Sequence, residues 1–357
     1  VAYGTHSALD TLASINNTNV AAYGEDRVFA EIERSLEIHN RITTEMMRDF
    51  VDVTTDRQRR YGGTDSMQMD ELDEYGRADA QKITAGATVG FPLRKYGLSL
   101  QWTRTYMLNA TPAEIAASAI AAMDADVKAL QREVKRALFY AGNLTFTDRL
   151  VDSISLSVKR LVNADSQVIP QGPNGESFTA STHSHYLYTD ATTLAAADVT
   201  ALVLAVAEHY SFGQIVININ AAQEAAIRAL TGFTAITPVF VTPANTAAAI
   251  VEPYDTRNLG DRKIGYWGGN YAEIWVKPWV PSGYLHAFNN AAPKALAMRE
   301  RSGGSGAFQL VFEDEVHPLR ARGWEREFGI GVWNRTNGAV LFVDAGNGDV
   351  YADPTLA

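Results

Sequence analysis

Thr111-Pro-Ala-Glu-Ile-Ala-Ala-Ser-Ala-Ile-Ala-Ala-Met-Asp-Ala-Asp-Val-Lys-Ala-Leu-Gln-Arg-Glu-Val-Lys-Arg-Ala-Leu-Phe-Tyr-Ala-Gly142 is the stretch that fixes how the rest of the chain is read. Thr111 offers an N-cap oxygen. Pro112 suits the first helical position, where its missing N–H is not needed, and Glu114 completes a capping box. Gly142 supplies a left-handed stop. Between them, Met123, Val127, Leu130, Val134, Ala137 and Ala141 recur at four-three spacing. That spacing predicts one helix over 112–141 with a single apolar stripe. At 1.5 Å per residue the rod is about 45 Å long, well beyond the three or four turns usual in a compact domain.

Upstream, Phe29, Ile32, Leu36, His39, Thr43, Met46 and Phe50 predict an amphipathic helix over 25–50. Its opposite face carries Arg27, Arg34, Arg41 and Arg48, one every seven residues. Local pairs four residues apart (Arg27–Glu31, Glu37–Arg41, Arg41–Glu45) account for such a stripe most simply. An electrostatic rail for another subunit or for nucleic acid is the alternative. Residues 1–24, rich in Ala, Asn, Thr and Ser, read as an extended arm ordered by a partner.

Residues 52–83 form a solvated excursion. Arg57, Arg59 and Arg60 precede Gly62-Gly63, and Asp65, Asp70, Glu71, Asp73, Glu74 and Asp79 follow. The chain returns over 87–108 with Leu98, Leu100, Trp102, Arg104 and Tyr106 on one side of a period-two pattern, which predicts a projecting two-stranded arm. Beyond the rod, 143–195 is loop-rich. Helices are expected at 197–211 and 221–230, and strands at 214–220, 263–267, 272–277, 283–288 and 294–301. Asn337-Gly338 and Asn347-Gly348 predict hairpins flanked by Phe328–Val332 and Val340–Val343. The reading is an α+β chain in five parts: arm and helix 1–51, extended loop 52–107, rod 108–142, inserted module 143–293, and strands 294–357 that return beside the rod.

The 357 residues carry 31 Lys+Arg against 41 Asp+Glu, a net charge of −10, which argues against an extended nucleic-acid-binding surface. At 46% hydrophobic and 20% charged, the chain is unlike a disordered one. The absence of cysteine removes disulfides, thiolate metal sites and cysteine nucleophiles together. No apolar run is long enough for a bilayer, so no membrane partner is expected. No leader pattern is visible, and Val1 in place of Met reads as a removed initiator or a processed end.

Catalytic signatures are missing. There is no Gly-x-Ser-x-Gly elbow, and Gly304-Ser305-Gly306 reads as a flexible turn. No phosphate-binding loop or dinucleotide turn occurs. Neither catalytic residues nor a cofactor are therefore expected. His183 and His185 sit at i and i+2, where two imidazoles of a strand share a face. His209, Asp190 and His286 are candidate third ligands, but none stands at a diagnostic spacing. A polar surface strand with local hydrogen bonds is preferred, and no metal is expected. Asp70-Glu71-Leu72-Asp73-Glu74 lacks the alternation and glycine of a calcium loop.

Several strings taken in order resemble the major capsid proteins of tailed bacteriophages with the Hong Kong 97-type fold. They are Val89-Gly-Phe-Pro-Leu-Arg-Lys-Tyr96 leading to Leu100-Gln-Trp-Thr103; the capped rod; Thr182-His-Ser-His-Tyr186; Trp275-Val-Lys-Pro-Trp279 with Pro281-Ser-Gly-Tyr284; and Phe328-Gly-Ile-Gly-Val-Trp-Asn-Arg-Thr-Asn-Gly-Ala-Val340. The resemblance implies an N-terminal arm, an extended β-hairpin loop, a long spine helix in a peripheral domain, and an inserted axial domain. It implies self-assembly into hexamers and pentamers of an icosahedral head around double-stranded DNA held without sequence preference. The implied partners are portal and scaffolding proteins and, as an option, a cement or decoration protein. The implied location is the virion, with the host cytoplasm during assembly. No scaffolding segment of the kind that many relatives cleave is seen in this sequence. Inter-subunit contacts are expected at Arg27, Arg34, Arg41, Arg48, Arg57, Arg59, Arg60, Asp70, Glu71, Asp73 and Glu74.

Two alternatives accompany this reading. One is an encapsulin-like cellular compartment. The other is a secreted carbohydrate-active enzyme, suggested by Trp267, Tyr271, Trp275 and Trp279, although cross-strand packing explains those aromatics. Some relatives join a lysine of the extended loop to an asparagine of the peripheral domain. Here the pairs would be Lys82 or Lys95 with Asn334 or Asn337, near Glu325 or Glu327, and most relatives form no such bond. The expectation is a shell held without covalent bonds: boiled particles run as a single monomer band on a denaturing gel. A ladder of multimers would reveal the lysine–asparagine link.

Overall fold

The computed structural model describes residues 12–47, 50–61, 69, 71–72, 74–78, 80–81, 86–189, 193–236, 261–269, 271–304, 306–343 and 350–356. In chain order the helices are α1 (Val20–Tyr23), α2 (Glu25–Met47), α3 (Arg104–Asn109), α4 (Pro112–Phe139), α5 (Ala196–Ala207) and α6 (Glu224–Arg228). The strands are β1 (Val51–Thr54), β2 (Gln58–Tyr61), β3 (Ala87–Gly90), β4 (Arg94–Thr103), β5 (Leu144–Thr147), β6 (Ser155–Val158), β7 (Tyr186–Tyr188), β8 (Ile215–Ile219), β9 (Phe233–Ala235), β10 (Arg262–Trp267), β11 (Ala272–Val276), β12 (Tyr284–Asn289), β13 (Leu296–Arg299), β14 (Gln309–Val316), β15 (Leu319–Val332) and β16 (Ala339–Phe342).

The rod forms as its caps dictate. The Thr111 hydroxyl accepts from the Glu114 N–H at 3.4 Å, and the Glu114 carboxylate accepts from the Thr111 N–H at 2.9 Å. Its end differs from expectation. Tyr140 turns extended, Gly142 is not left-handed, and the Ala141 N–H is taken by the Asp353 carboxylate at 2.9 Å.

α4 serves two cores. Ile115, Ala116, Ala119 and Met123 pack with Phe29, Ile32 and Leu36 of α2 and with Trp102 and Trp324. Leu130, Val134, Ala137, Leu138 and Phe139 pack with Phe50, Leu296, Met298, Phe328 and Trp279. Asp126 sits buried where one core gives way to the other. Its Oδ2 lies 2.9 Å from His39 Nε2 on α2 and 2.6 Å from Arg326 Nη1 on β15. Arg326 also donates from Nε to the Gly306 carbonyl at 2.8 Å.

Two larger sheets flank this axis. One runs β1-β13-β15-β14, with β4 also on β15; β1 and β13 are parallel and the other pairs antiparallel. The other has seven strands in the order β7-β16-β12-β8-β11-β10-β9, covered by α5. β2 with β3 and β5 with β6 form small separate hairpins.

Several expectations change. Residues 12–23 are not a loose arm: Leu12 and Val20 are fully buried against α2, and the Val20 N–H bonds the Ala110 carbonyl at 2.8 Å. Residues 1–11 lie outside the described residues. The two-stranded stem of the excursion is β2 with β3, and Tyr61 is buried there beside Val89 and Phe91. The returning strand expected over 87–108 is instead broken at residues 91–93, and β4 belongs to the five-stranded sheet. Arg104 and Tyr106 are helical because Thr103 caps α3, accepting from the Tyr106 N–H at 3.1 Å. The hairpin expected at Asn337-Gly338 is absent, since β15 and β16 belong to different sheets. Asn337 is wholly buried, accepting from the Asn289 N–H at 2.7 Å and donating to the Asn289 and Pro293 carbonyls. β16 thus completes the inserted module's sheet, so the module is not confined to 143–293. The Asn347-Gly348 turn lies outside the described residues.

Breaking a buried ion pair by removing one partner costs about 3–5 kcal/mol. Asp126→Ala should therefore lower unfolding stability by about that much in chemical denaturation, and Asp126→Ala with Arg326→Met should recover part of it. Wild-type stability in the single variant would show that the contact carries no such weight.

Candidate assembly surfaces and a histidine cluster

Arg27, Arg34 and Arg41 are exposed along α2. Among the described residues none of their guanidinium groups has a hydrogen-bond or ion-pair partner, so the expected pairing with Glu31, Glu37 and Glu45 is not formed. Arg48, Asp70 and Asp73 lie outside the described residues, and Glu71 and Glu74 are exposed. The three arginines of the excursion differ from one another. Arg57 reaches the buried Asp148 at 3.3 Å and Asp152 at 2.7 Å. Arg59 bonds Asp56 at 2.7 Å and lies 5.1 Å over the Trp333 ring. Arg60 is exposed. Arg57 and Arg59 thus have partners within their own chain.

Among the described residues the cross-link candidates have other partners within the chain. Lys95 is paired with Glu325 at 2.5 Å, and burial shields Asn337. Asn334 donates to the Tyr210 hydroxyl and the Pro293 carbonyl, both at 2.7 Å. Lys82 lies outside the described residues. The four aromatics form no row: Trp267 belongs to the core of the seven-stranded sheet, Trp279 to the core around Phe139, and Tyr271 is exposed. Trp275 donates its indole N–H to Glu273 at 3.0 Å.

Sequence reasoning missed a set of exposed apolar side chains. Met69, Leu72 and Tyr75 project from the excursion, and Val311, Phe312, Val316 and Leu319 from the β14–β15 ribbon. It also missed Arg335, fully buried and donating to the Arg160 and Leu161 carbonyls and to Asn163. Hydropathy flags Arg335 only as a polar break between β15 and β16, so nothing in the pattern foretold its burial.

The histidine pair is not on a polar surface. His185 is wholly buried just before β7, and its Nδ1 bonds the Gly338 carbonyl at 2.6 Å. His209, at the end of α5, joins the pair. The three Nε2 atoms are mutually 3.2 Å (His183–His185), 3.3 Å (His183–His209) and 3.1 Å (His185–His209) apart. Glu208 brings a carboxylate oxygen to 3.3 Å from His183. Phe178 walls one side, with ring centres 4.8 Å from His183 and 4.3 Å from His209. Burial pushes all three imidazoles down, His209 to about 3, so they stand neutral near pH 7. Of the candidate third ligands among the described residues, His209 arrives and His286 does not. Asp190 lies outside the described residues, and His286 stacks on Phe288, 3.4 Å from the Asn218 amide.

No family model matches the sequence, and no curated protein matches it. Among solved structures the chain is similar to one from Mycobacterium phage Patience, at 21% identity over 90% of this chain and 88% of that one, with a TM-score of 0.65. Other similar structures are the capsid of a native GTA particle (13%, 85% and 91%, TM-score 0.47) and the holo-SrpI encapsulin complex of Synechococcus elongatus PCC 7942 (10%, 87% and 90%, TM-score 0.42). The capped rod, the five-stranded sheet and the seven-stranded sheet, with the likeness to the Patience structure, give the chain the Hong Kong 97-type fold.

His286 gives this fold a pH dependence. Burial lowers its value to about 3 from 6.5. Above 6.5 both folded and unfolded forms are neutral and it contributes no slope. Below 6.5 the unfolded chain takes up the proton first, so stability falls by about 1.4 kcal/mol per pH unit until the folded value is reached. His286→Gln should flatten the fall in melting temperature between pH 6.5 and pH 4 relative to wild type. An unchanged slope would mean that other groups set it.

Proposed function

We propose that this chain is the repeating subunit of a closed icosahedral shell, the major capsid protein of a tailed bacteriophage head. The observation that carries the reading is where the fold leaves itself unsatisfied. The rod and the interiors of both sheets bury their apolar faces within the chain, whereas Met69, Leu72 and Tyr75 of the excursion and Val311, Phe312, Val316 and Leu319 of the β14–β15 edge of the five-stranded sheet are exposed. Exposed apolar groups are what association removes from water. The segregated charges of the excursion and the unpaired Arg27, Arg34 and Arg41 add complementarity, which selects the partner and its register more than it adds affinity.

In this reading the protein is structural and not an enzyme. Its partners are further copies of itself in hexamers and pentamers, together with portal and scaffolding proteins. It encloses double-stranded DNA, and its net charge of −10 keeps phosphate contacts few, so that the duplex slides during packaging. It assembles in the host cytoplasm and resides in the virion.

The test separates folding from assembly. Replacing residues 62–86 by a short Gly/Ser linker keeps β2 and β3 intact, and loop length changes closure entropy only weakly. Circular dichroism and the melting temperature should stay near wild type while sedimentation shows no shells. Arg27→Glu with Arg34→Glu and Arg41→Glu should likewise leave the melt unchanged and reduce shell yield. Shells of normal size from the linker variant would refute the assembly role. Electron microscopy of particles from infected cells reads the cargo: packed DNA supports the phage reading, and an enclosed enzyme would replace it with an encapsulin.

A further inference from the structure

We propose that His183, His185 and His209, with Glu208, form a binding site for one divalent transition-metal ion, with zinc the expected occupant. Geometry argues first. Three nitrogens on a tetrahedral ion at 2.0–2.1 Å are about 3.3–3.4 Å apart. The three Nε2 atoms stand 3.1, 3.2 and 3.3 Å apart, and all four ligating atoms of the cluster lie within 4.8 Å of one another.

Hydrogen bonding among the rings is a poor substitute. The Gly338 carbonyl can only accept, so His185 carries its proton on Nδ1 and turns a bare lone pair on Nε2 toward the other two rings. At most two protons, one each on His183 and His209 Nε2, then serve the three edges of the triangle, and the remaining edge sets either two N–H groups or two lone pairs against each other. A cation at the centre satisfies all three. The carbonyl bond to the far nitrogen is also the outer contact that orients a metal-bound imidazole.

Two further features favour a cation. Glu208 and His209 follow the last residue of α5, the negative end of a helix dipole. The Glu208 carboxylate supplies charge from the half-buried side, 3.3 Å from His183 and 3.8 Å from His209. Imidazole and carboxylate donors suit zinc and its neighbours, whereas magnesium and calcium prefer oxygen shells. The ion would tie the loop before β7 to the end of α5, a covalent-like staple in a chain with no cysteine.

The experiment uses full-length, untagged protein stripped with EDTA, desalted and titrated with zinc chloride. Metal content is read by mass spectrometry after a second desalting, and stability by thermal melting with zinc or with EDTA. One retained zinc per chain and a higher melting temperature in zinc are expected, and cobalt should give the intense visible absorption of a tetrahedral site. His183→Gln, at the half-buried ligand, should weaken zinc binding at least tenfold and abolish the melting shift, while its melt in EDTA matches wild type. If His183→Gln does not fold, Glu208→Gln replaces it and should weaken binding. Wild-type protein that retains no zinc, or a folded variant that binds zinc as tightly as wild type, would overturn the proposal.

Discussion

Halfway along α4 a single carboxylate, that of Asp126, is held between an arginine from β15 and a histidine from α2. α4, α2 and β15 are joined at that point, which is where the apolar contacts of α4 change partners. Toward the N-terminus it packs on α2 and two tryptophans, and toward the C-terminus on β13, β15 and Trp279. Apolar packing alone tolerates sliding of a helix by a turn, because a stripe of similar residues repeats. A buried charge with two fixed partners does not, since any shift leaves Arg326 desolvated without a counter-charge. The register of the rod against both cores therefore depends on Asp126.

The sequence announced the rod because helix caps and period are local properties. Thr111, Pro112 and Glu114 act within one turn, and they behave as their chemistry requires. Thr103 is an equally local signal, but the period-two pattern that runs across it masks the start of α3. The hairpin expected at Asn337-Gly338 failed for the opposite reason. Its dipeptide suits a tight turn, yet the Asn337 amide satisfies backbone groups of residues 289 and 293, and tertiary hydrogen bonding overrode the turn preference. Of the histidine cluster, the i, i+2 pair was legible. The arrival of His209 depends on how α5 lies on the seven-stranded sheet, which no spacing encodes.

The apolar and charged side chains divide by the same logic. Those on α4, α5 and the sheet interiors find partners inside the chain, including arginines as deeply placed as Arg299 and Arg335. Met69, Leu72, Val311, Phe312, Val316 and Leu319 stay exposed on the excursion and the β14–β15 ribbon, as do Arg27, Arg34 and Arg41 on α2, whereas Arg57, Arg59, Arg320 and Arg322 are paired within the chain. In the proposed shell, the buried centre belongs to one chain and these exposed side chains to its contacts with further copies. Self-association of this kind adds contacts at the margins without remodelling the core.

β16 lies between β7 and β12 in the interior of the seven-stranded sheet, although it comes from the last tenth of the chain. Until residue 342 leaves the ribosome, β7 has no neighbour in that sheet and the inward edge of β12 stays open. Six strands of the sheet are laid down between residues 186 and 289, and the seventh, β16, seals it later. Translation thereby acts as a timer: a nascent or truncated chain that stops short of β16 leaves that sheet with an open seam.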